Sequence, residues 1–245
     1  MADGLLLLHA FPLDAGMWRP QLETLGAEIP IAAPHLPGFG GTPMAGDVTT
    51  MAAAATRALE ALDAAGVDRA VICGLSIGGY VAFELWRRAR ERIAGLVLAN
   101  TRPQADTPEG VEGRRALADR LRAEGTGFLV AQPPPLLSDG APEELWAFVR
   151  ATIAVQPAEA IAAASLGMAA RPDSTPDLPG IDVPTLVITS TSDRLIPPEV
   201  TAPLAEAIAG ARLETIPGAG HVSNLEAPEA FTKVLREHLA RCGLG

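Results

Sequence analysis

A chain of 245 residues, of which 48% are hydrophobic, is long enough to bury a full core and short enough to form a single α/β domain. Its formal net charge is -10 and its basic residues form no run, which excludes nucleic acid as a partner. The two cysteines lie far apart, and no apolar run approaches the length of a membrane span. We therefore expect a cytoplasmic protein, monomeric or homodimeric, with neither a disulfide framework nor a membrane partner.

Short apolar runs alternate with longer helix-like stretches along much of the chain. The predicted strands, in chain order, are residues 5–8, 29–33, 70–73, 95–99, 185–189 and 212–216. The helices predicted around them are residues 17–25, 49–65, 77–90, 199–209 and 228–241. This alternation is typical of an α/β fold, in which helices cover both faces of a parallel sheet.

The regular alternation stops after residue 99 and resumes near residue 185. The intervening chain shows no strand pattern, and its predicted helices are residues 108–124, 142–154 and 157–170. Open α/β sheets bind ligands beyond the carboxyl ends of their strands, where an insertion of this kind can cover them. We therefore predict a core domain of residues 1–102 and 179–245 with an inserted helical cap of residues 103–178. The alternative is a helical excursion that packs elsewhere on the core.

The most informative motif lies where the third predicted strand ends and a helix begins. Gly74-Leu75-Ser76-Ile77-Gly78 is a G-x-S-x-G sequence, which is typical of a serine held on a tight turn between a strand and a helix. The two glycines suit positions at which a Cβ would collide with the strand or the helix. Ser76 is therefore the predicted nucleophile. The alternative is a glycine-rich turn whose serine merely caps the helix.

A serine hydroxyl is a weak nucleophile near neutral pH, so it needs a base, and the base needs an orienting acid. His221 follows the last predicted strand in a glycine-rich loop, and Asp193 follows the strand before it. Both should lie at the same sheet edge as Ser76, which makes them the predicted base and acid. The alternatives are a solvated loop histidine and an aspartate that caps the next turn or pairs with Arg194.

Attack on a carbonyl group places negative charge on its oxygen, and N–H donors must be held ready for that charge. One predicted donor is the N–H of Ile77, at the start of the helix. The loop after the first strand should supply the other from Phe11, because Pro12 has no N–H to give. For His9, in the same loop, we favour a structural role in which it bonds the carbonyls of its own loop.

These motifs, in this order, resemble those of the α/β-hydrolase superfamily. The segments that carry the resemblance are Leu8 to Pro12, Gly74 to Gly79, Ser192-Asp193 and Gly218 to His221. Within the superfamily the chain is most similar to small capped carboxylesterases and 3-oxoadipate enol-lactonase-like hydrolases, on three further segments. These are His9 to Asp14, Pro37-Gly38-Phe39-Gly40 and Asn224-Leu225-Glu226-Ala227-Pro228-Glu229.

The resemblance also implies a sheet topology. Relatives usually place a β-hairpin before the strand that begins here at Leu5. We therefore expect a mainly parallel sheet of six strands that lacks the hairpin, in the order 4-3-5-6-7-8 of the family's strand numbering.

The expected activity is that of a serine hydrolase, a carboxylesterase or lactonase that cleaves a small, largely apolar ester or lactone through an acyl-enzyme on Ser76. This chemistry needs no metal or organic cofactor, and the four histidines are too scattered to hold a metal. Other uses of the same triad stay open, namely thioester or C–C bond hydrolysis, perhydrolysis and cyanohydrin lysis. A non-catalytic small-molecule receptor on the same fold is the alternative outside enzymes.

The predicted substrate pocket combines side chains from the strand ends with side chains from the cap. Its members are Phe11, Leu75, Leu195, Ile196, Phe128, Leu129, Trp146 and Val149. Arg102 and Arg171, on either side of the cap, are candidates to bind a substrate carboxylate, as an enol-lactone would require. The alternative is that each pairs with a nearby acid, Asp106 or Asp173.

Overall fold

The computed structural model describes residues 2–244, and within them six strands form one sheet. The strands are β1 (Ala2–Leu8), β2 (Ile31–Ala32), β3 (Val67–Leu75), β4 (Ile93–Ala99), β5 (Thr185–Ser190) and β6 (Arg212–Ile216). They lie side by side in the order β2-β1-β3-β4-β5-β6, and every neighbouring pair is parallel. The expected six-stranded sheet and its strand order are therefore confirmed.

Helices connect the strands and cover the sheet. They are α1 (Arg19–Leu25), α2 (Met51–Ala64), α3 (Ile77–Arg88), α4 (Pro108–Glu124), α5 (Gly127–Ala131), α6 (Glu143–Val155), α7 (Ala158–Ala169), α8 (Pro198–Thr201), α9 (Pro203–Ala207), α10 (Ser223–Glu226) and α11 (Pro228–Arg241). Short 3-10 helices lie at Ala15–Trp18, Arg90–Arg92 and Thr175–Gly180. Within residues 2–244, no helix combines the length and the apolar character needed to cross a membrane.

The central strands of the sheet are buried on both faces. All four leucines of β1 are fully buried, and every residue of β4 is buried. Strands covered on both faces need continuous apolar runs rather than alternation, which is why these segments could be recognised in the sequence. Because the strands are parallel, their carboxyl ends meet at one edge, and the loops that leave this edge carry Phe11, Ser76, Asp193 and His221.

Prolines account for two differences between the predicted and the observed helices. The helix predicted over residues 199–209 is wrong, because Pro203 has no N–H to bond to the preceding turn and divides the segment into α8 and α9. The helix predicted over residues 17–25 is present from Arg19 to Leu25, and only its first two residues differ, because they belong to a 3-10 turn. Pro20 likewise separates a 3-10 turn at Ala15–Trp18 from α1.

The edge strand β2 is shorter than the predicted strand over residues 29–33. Only Ile31 and Ala32 pair with β1. Pro30 and Pro34 flank this pair and have no N–H to give to a ladder, so the strand cannot extend in either direction with full pairing.

Helices α4 to α7 lie in the chain between β4 and β5. Helix α4 packs against α7, and α5 packs against α6. Helix α7 also lies directly against the loop before α2, where the Thr49 N–H donates to the Ala163 carbonyl at 3.0 Å. A Cβ added at Gly167 would lie 1.7 Å from the Thr49 carbonyl oxygen, so this contact tolerates no side chain.

Helix α3 approaches the sheet closely at the glycines of the G-x-S-x-G motif. A Cβ added at Gly78 would lie 2.2 Å from the carbonyl oxygen of Leu8 in β1, and one added at Gly74 would lie 2.3 Å from the carbonyl oxygen of Gly78. Both distances are far below van der Waals contact. The predicted need for small residues on both sides of Ser76 is confirmed.

Gly78→Ala should lower the free energy of unfolding by about 1–3 kcal/mol, because α3 must move away from β1 to admit the methyl group. Gly113→Ala is the matched control, since an added Cβ in α4 meets no atom within 4 Å. Alanine is favoured over glycine inside a helix by about 1 kcal/mol, so the control should be slightly more stable than the parent. Urea unfolding of both variants measures the difference. If the free energy of unfolding changed in the same direction in Gly78→Ala and Gly113→Ala, the close approach of α3 to β1 would be contradicted.

Candidate active site

Ser76 lies on the turn between β3 and α3 in a backbone conformation that few side chains adopt, with φ 59° and ψ -116°. Its N–H donates to the Ala99 carbonyl at 3.0 Å, and its carbonyl accepts from Thr101 Oγ1 at 2.8 Å. The Ser76 side chain makes no capping hydrogen bond to α3. The strand–turn–helix geometry is therefore present, and the alternative of a merely capping serine does not describe it.

The structure brings Asp193 and His221 together. Asp193 follows β5, His221 follows β6, and Asp193 Oδ2 lies 2.8 Å from His221 Nδ1. Asp193 Oδ1 also accepts the N–H groups of Leu195 and Ile196, at 2.8 and 2.9 Å, so the same carboxylate caps the next turn as well. Arg194 turns away and pairs with Asp139.

Electrostatics favour an ionised Asp193. Burial raises the pKa of this carboxyl group, but hydrogen bonds and charge from His221, with hydrogen bonds from Ile196 and Asn100, outweigh burial and leave the pKa below its usual value. A carboxylate accepts hydrogen bonds and donates none, so the Nδ1 of His221 must carry the proton. The other ring nitrogen, Nε2, is then free to accept a proton.

Asn100, directly after β4, is part of this arrangement and was not found by sequence reasoning. It is fully buried, and its backbone has φ 44°. Its Nδ2 donates to Asp193 Oδ2 at 2.9 Å and to Ser190 Oγ at 2.6 Å, while its Oδ1 accepts from Ser223 Oγ at 2.8 Å. An asparagine immediately after a buried apolar strand was the available signal. Its partners are 90, 93 and 123 residues away in the chain.

Glu226 holds the loop that carries His221, and its role was also missed. Its carboxylate accepts the N–H of Gly220 at 2.8 Å and the N–H of Ser138 at 3.0 Å. It also accepts the Ser138 hydroxyl. The Val222 N–H donates to the Leu136 carbonyl at 2.9 Å, on the same side of the loop. The histidine loop is therefore bonded to the chain between α5 and α6.

A cavity of about 250 Å³ opens at the carboxyl ends of the strands. Its lining residues are Phe11, Ser76, Tyr80, Arg102, Arg114, Leu117, Pro134, Met168, Leu195, Ile196 and His221. Ser76 and His221 therefore share one cavity, and within residues 2–244 the structure records no hydrogen bond between their side chains. No cluster of three or more His, Cys, Asp or Glu side chains in this part of the chain is placed to hold a metal ion.

Four of the predicted pocket residues, Phe11, Arg102, Leu195 and Ile196, are among those that line this cavity, whereas the other predicted pocket residues are not. Leu129 and Val149 are buried in the hydrophobic core. Leu75 is fully buried in β3, and Trp146 packs against the hydrophobic core. The Phe128 ring lies under the guanidinium of Arg120, 3.8 Å from its central carbon. From the segment between β4 and β5, the residues that line the cavity belong instead to α4, α7 and the proline segment after α5.

The two predicted oxyanion donors both lie near Ser76. Ile77 is the first residue of α3, so no carbonyl of its own helix lies one turn before its N–H. Phe11 lines the cavity from the loop after β1. Among residues 2–244 the structure records no hydrogen bond from the N–H of Phe11 or from that of Ile77, so both are available to a ligand.

His9 connects the loop after β1 to the segment after β2. Its Nδ1 lies 3.1 Å from the Ala10 carbonyl, and its Nε2 accepts the Leu36 N–H at 2.9 Å. One nitrogen donates and the other accepts, so the ring is neutral. Burial lowers the pKa of His9 to about 4, consistent with this neutral form. The histidine thus supports the loop that carries Phe11.

Arg102 and Arg171 both pair with Asp106, and neither pairs with Asp173. Arg114 of α4 pairs with the same carboxylate at 2.7 Å, and this third arginine was not predicted. A position in the middle of a helix gives no sign in the sequence that its side chain reaches a cavity.

The α/β hydrolases carry their serine on such a strand-to-helix turn, with the acid and then the histidine further along the chain. By fold and by chain order the molecule is of this class. Residues 5–234 match the sequence model of the Alpha/beta hydrolase family, and the chain belongs to this family.

Several relatives are hydrolases of esters or lactones. The structure of a thermophilic esterase from Thermogutta terrifontis with malate bound is similar over 99% of this chain and 92% of that one, with 40% identity and a TM-score of 0.93. The enol-lactonase from Burkholderia xenovorans LB400 is similar over 98% of this chain and 92% of that one, with 31% identity and a TM-score of 0.88.

A relative found by sequence is 3-oxoadipate enol-lactonase 1 from Acinetobacter baylyi, 27% identical over 95% of this chain and 87% of its own length. The resemblance to esterases and enol-lactonases is confirmed.

The neutral His9 should make stability depend on pH. Below pH 6.5 the unfolded chain takes up a proton that the folded His9, with its pKa of about 4, does not, so the free energy of unfolding should fall as the pH drops from 6.5 towards 4. His9→Gln keeps an acceptor for the Leu36 N–H but cannot titrate. Between pH 6.5 and 4 the free energy of unfolding of His9→Gln should fall less steeply with pH than that of the parent, by up to about 1.4 kcal/mol per pH unit.

Urea unfolding at a series of pH values measures both slopes. Burial also lowers the pKa of His238 to about 4, so part of the pH dependence should remain in the variant. Identical slopes in the parent and in His9→Gln would show that His9 is not held neutral by burial.

Proposed function

We propose that the chain is a serine hydrolase that cleaves the carboxylic ester or lactone bond of a small, largely apolar substrate. Ser76 is the nucleophile, His221 the general base and Asp193 the acid that orients it. The observation that carries this proposal is the 2.8 Å hydrogen bond between Asp193 and His221, at the wall of the cavity that Ser76 also lines. The esterase and enol-lactonases among the relatives support esters and lactones as the substrate class.

The reaction proceeds in two acyl-transfer steps. The Nδ1–H of His221 donates a hydrogen bond to Asp193 and keeps its proton. Nε2 takes the proton of Ser76 Oγ as Oγ attacks the substrate carbonyl carbon. Collapse of the tetrahedral adduct breaks the bond to the leaving oxygen, which receives the proton from Nε2. The acyl group remains on Ser76 Oγ. Water then attacks it with His221 again as the base, and Ser76 regains its proton from the imidazolium.

The negative charge of each tetrahedral adduct is stabilised by backbone N–H groups. We assign this role to Phe11 and Ile77, whose N–H groups have no recorded partner in residues 2–244. Donors held in place before the reaction cost no reorganisation when the charge develops. The hydrogen bonds of His9 to Ala10 and Leu36 keep the Phe11 loop in this position.

Residues 103–178 act as the cap of a core domain formed by residues 1–102 and 179–245. Arg114, Leu117, Pro134 and Met168 belong to this segment and line the cavity opposite the strand ends. The apolar members of this wall exclude water from the reacting groups. They also suit the apolar portion of a small ester.

Ser76→Ala should lower kcat for a short ester by about 10⁴- to 10⁶-fold, because the oxyanion donors and the binding cavity remain while the nucleophile is lost. The measurement is a turnover screen over short esters, lactones and thioesters. Covalent labelling by a fluorophosphonate accompanies it and should also be lost in the variant.

Ser192→Ala is the control, because Ser192 precedes Asp193 in the chain but does not line the cavity. It should keep both turnover and labelling. Hydrolysis that persists in Ser76→Ala would refute the assignment of the nucleophile. Labelling of Ser76 without turnover of any ester, lactone or thioester would favour a small-molecule receptor instead.

Glu226 is a positioning residue for His221, since it acts through the Gly220 N–H and touches no reacting atom. Glu226→Ala should lower kcat by up to about 10²-fold, because the histidine loop loses its anchor and the ring is misplaced. Glu226→Gln should lose much less, since its amide oxygen still accepts the N–H groups of Gly220 and Ser138. Measured kcat and KM show whether each substitution changes the turnover step or substrate binding. Equal losses of kcat in Glu226→Ala and Glu226→Gln would contradict positioning by these hydrogen bonds.

A further inference from the structure

Three arginines share a single carboxylate beside the cavity. Asp106 Oδ1 accepts from Arg171 Nη2 at 2.8 Å and from Arg102 Nη2, and its Oδ2 accepts from Arg114 Nε at 2.7 Å. The Asp106 side chain is only 1% exposed. Its two oxygens are therefore surrounded by guanidinium groups.

The cluster carries an excess of positive charge. Burial raises the pKa of Asp106, but hydrogen bonds and charges from Arg171 and Arg114 outweigh burial and hold the pKa well below its usual value. One carboxylate thus faces three guanidinium groups. The nearby Asp173 bonds Thr175, and a hydrogen bond from Thr175 and the charge of Arg171 lower its pKa, but it forms no ion pair with the cluster.

The three arginines have different surroundings. The Arg171 side chain is 3% exposed, and its guanidinium lies over the Tyr80 ring at 4.1 Å and donates to the carbonyls of Met168 and Gln104. Arg171 is therefore an internal anchor. The side chains of Arg102 and Arg114 are 33% and 23% exposed, and both line the cavity that contains Ser76.

The two arginines at the cavity have donors to spare. A guanidinium group carries five N–H donors. Among residues 2–244 the structure records one side-chain hydrogen bond for Arg102 and one for Arg114, each to Asp106. The Nε of Arg102 is buried and has no partner within this part of the chain. The remaining Nη donors of the two guanidinium groups are the ones that a ligand in the cavity can reach, because both side chains are partly exposed and line it.

We propose that Arg102 and Arg114 bind a free carboxylate of the substrate, so that the preferred substrate is a half-ester or a lactone bearing one carboxylate group. This inference rests on the proposed hydrolase function and names the substrate class of the same site. The carboxylate occupies the arginine side of the cavity, and the ester or lactone carbonyl lies at Ser76. The apolar lining from Leu117, Leu195 and Ile196 contacts the chain that joins them.

A carboxylate suits this wall for a physical reason. Arginine binds carboxylate oxygens through charge-assisted hydrogen bonds, which are stronger than those between neutral groups. The two guanidinium groups are already fixed by Asp106, so little side-chain entropy is lost when a ligand binds. A neutral ester of the same length would leave these donors without acceptors.

Two methyl esters with the same acyl chain length test the proposal. Monomethyl glutarate ends in a carboxylate, and methyl pentanoate ends in a methyl group. Arg114→Met should lower kcat/KM for monomethyl glutarate about tenfold more than kcat/KM for methyl pentanoate, and Arg102→Met should shift the ratio in the same direction. Release of methanol measures both rates. A merely structural role for these arginines would lower the two values equally and would overturn the proposal.

Arg115→Met is the matched control. Arg115 neighbours Arg114 on α4, but its side chain is 64% exposed, its ion pair with Glu112 is long at 3.9 Å, and it does not line the cavity. The ratio of the two kcat/KM values should be the same in Arg115→Met as in the parent. A shift equal to that of Arg114→Met would reduce the effect to general surface charge and overturn the proposal.

A binding measurement keeps the test decisive if the arginine variants fail to fold around Asp106. The Ser76→Ala protein retains all three arginines and should bind monomethyl glutarate about tenfold more tightly than methyl pentanoate in calorimetry. Equal affinities would overturn the carboxylate site while leaving the hydrolase proposal intact. Hydrolysis of methyl pentanoate by Ser76→Ala would instead overturn the hydrolase proposal.

Discussion

The buried carboxylate of Asp193 joins the loops that leave three neighbouring strands. Its Oδ2 accepts from Asn100 after β4 and faces His221 after β6, and its Oδ1 accepts two backbone N–H groups of its own loop after β5. A carboxylate can be buried as an anion only when donors replace the water that it loses. The loops must therefore converge on it. The orientation of the histidine ring follows from that convergence.

The end of β4 supports the serine and the acid at the same time. The Ala99 carbonyl accepts the Ser76 N–H, Thr101 donates to the Ser76 carbonyl, and Asn100 between them donates to Asp193. Consecutive residues of one strand end thus fix two groups that lie far apart in the chain. The strained backbone of Ser76 is maintained by these bonds and by the glycines that let α3 lie close to the sheet.

The cavity carries positive charge although the chain as a whole is acidic. The formal net charge is -10, yet Arg102 and Arg114 line one side of the cavity and share the single carboxylate of Asp106 with Arg171. Charge at a site is decided by which side chains face it, and a low local dielectric makes that charge count more than the distant surface.

Local patterns in the sequence located the strands of the sheet and the three residues of the proposed triad, whereas the order of the strands was predicted from the resemblance to a known family. Buried parallel strands are continuous apolar runs, and residues just after them must meet at one edge, so a G-x-S-x-G turn and a late aspartate and histidine could be located without coordinates. The tertiary structure alone decided the roles of Asn100, Glu226 and Arg114, and it placed Phe128 and Trp146 outside the cavity. These depend on how helices pack and on partners far away in the chain, and no short-range pattern encodes either of them.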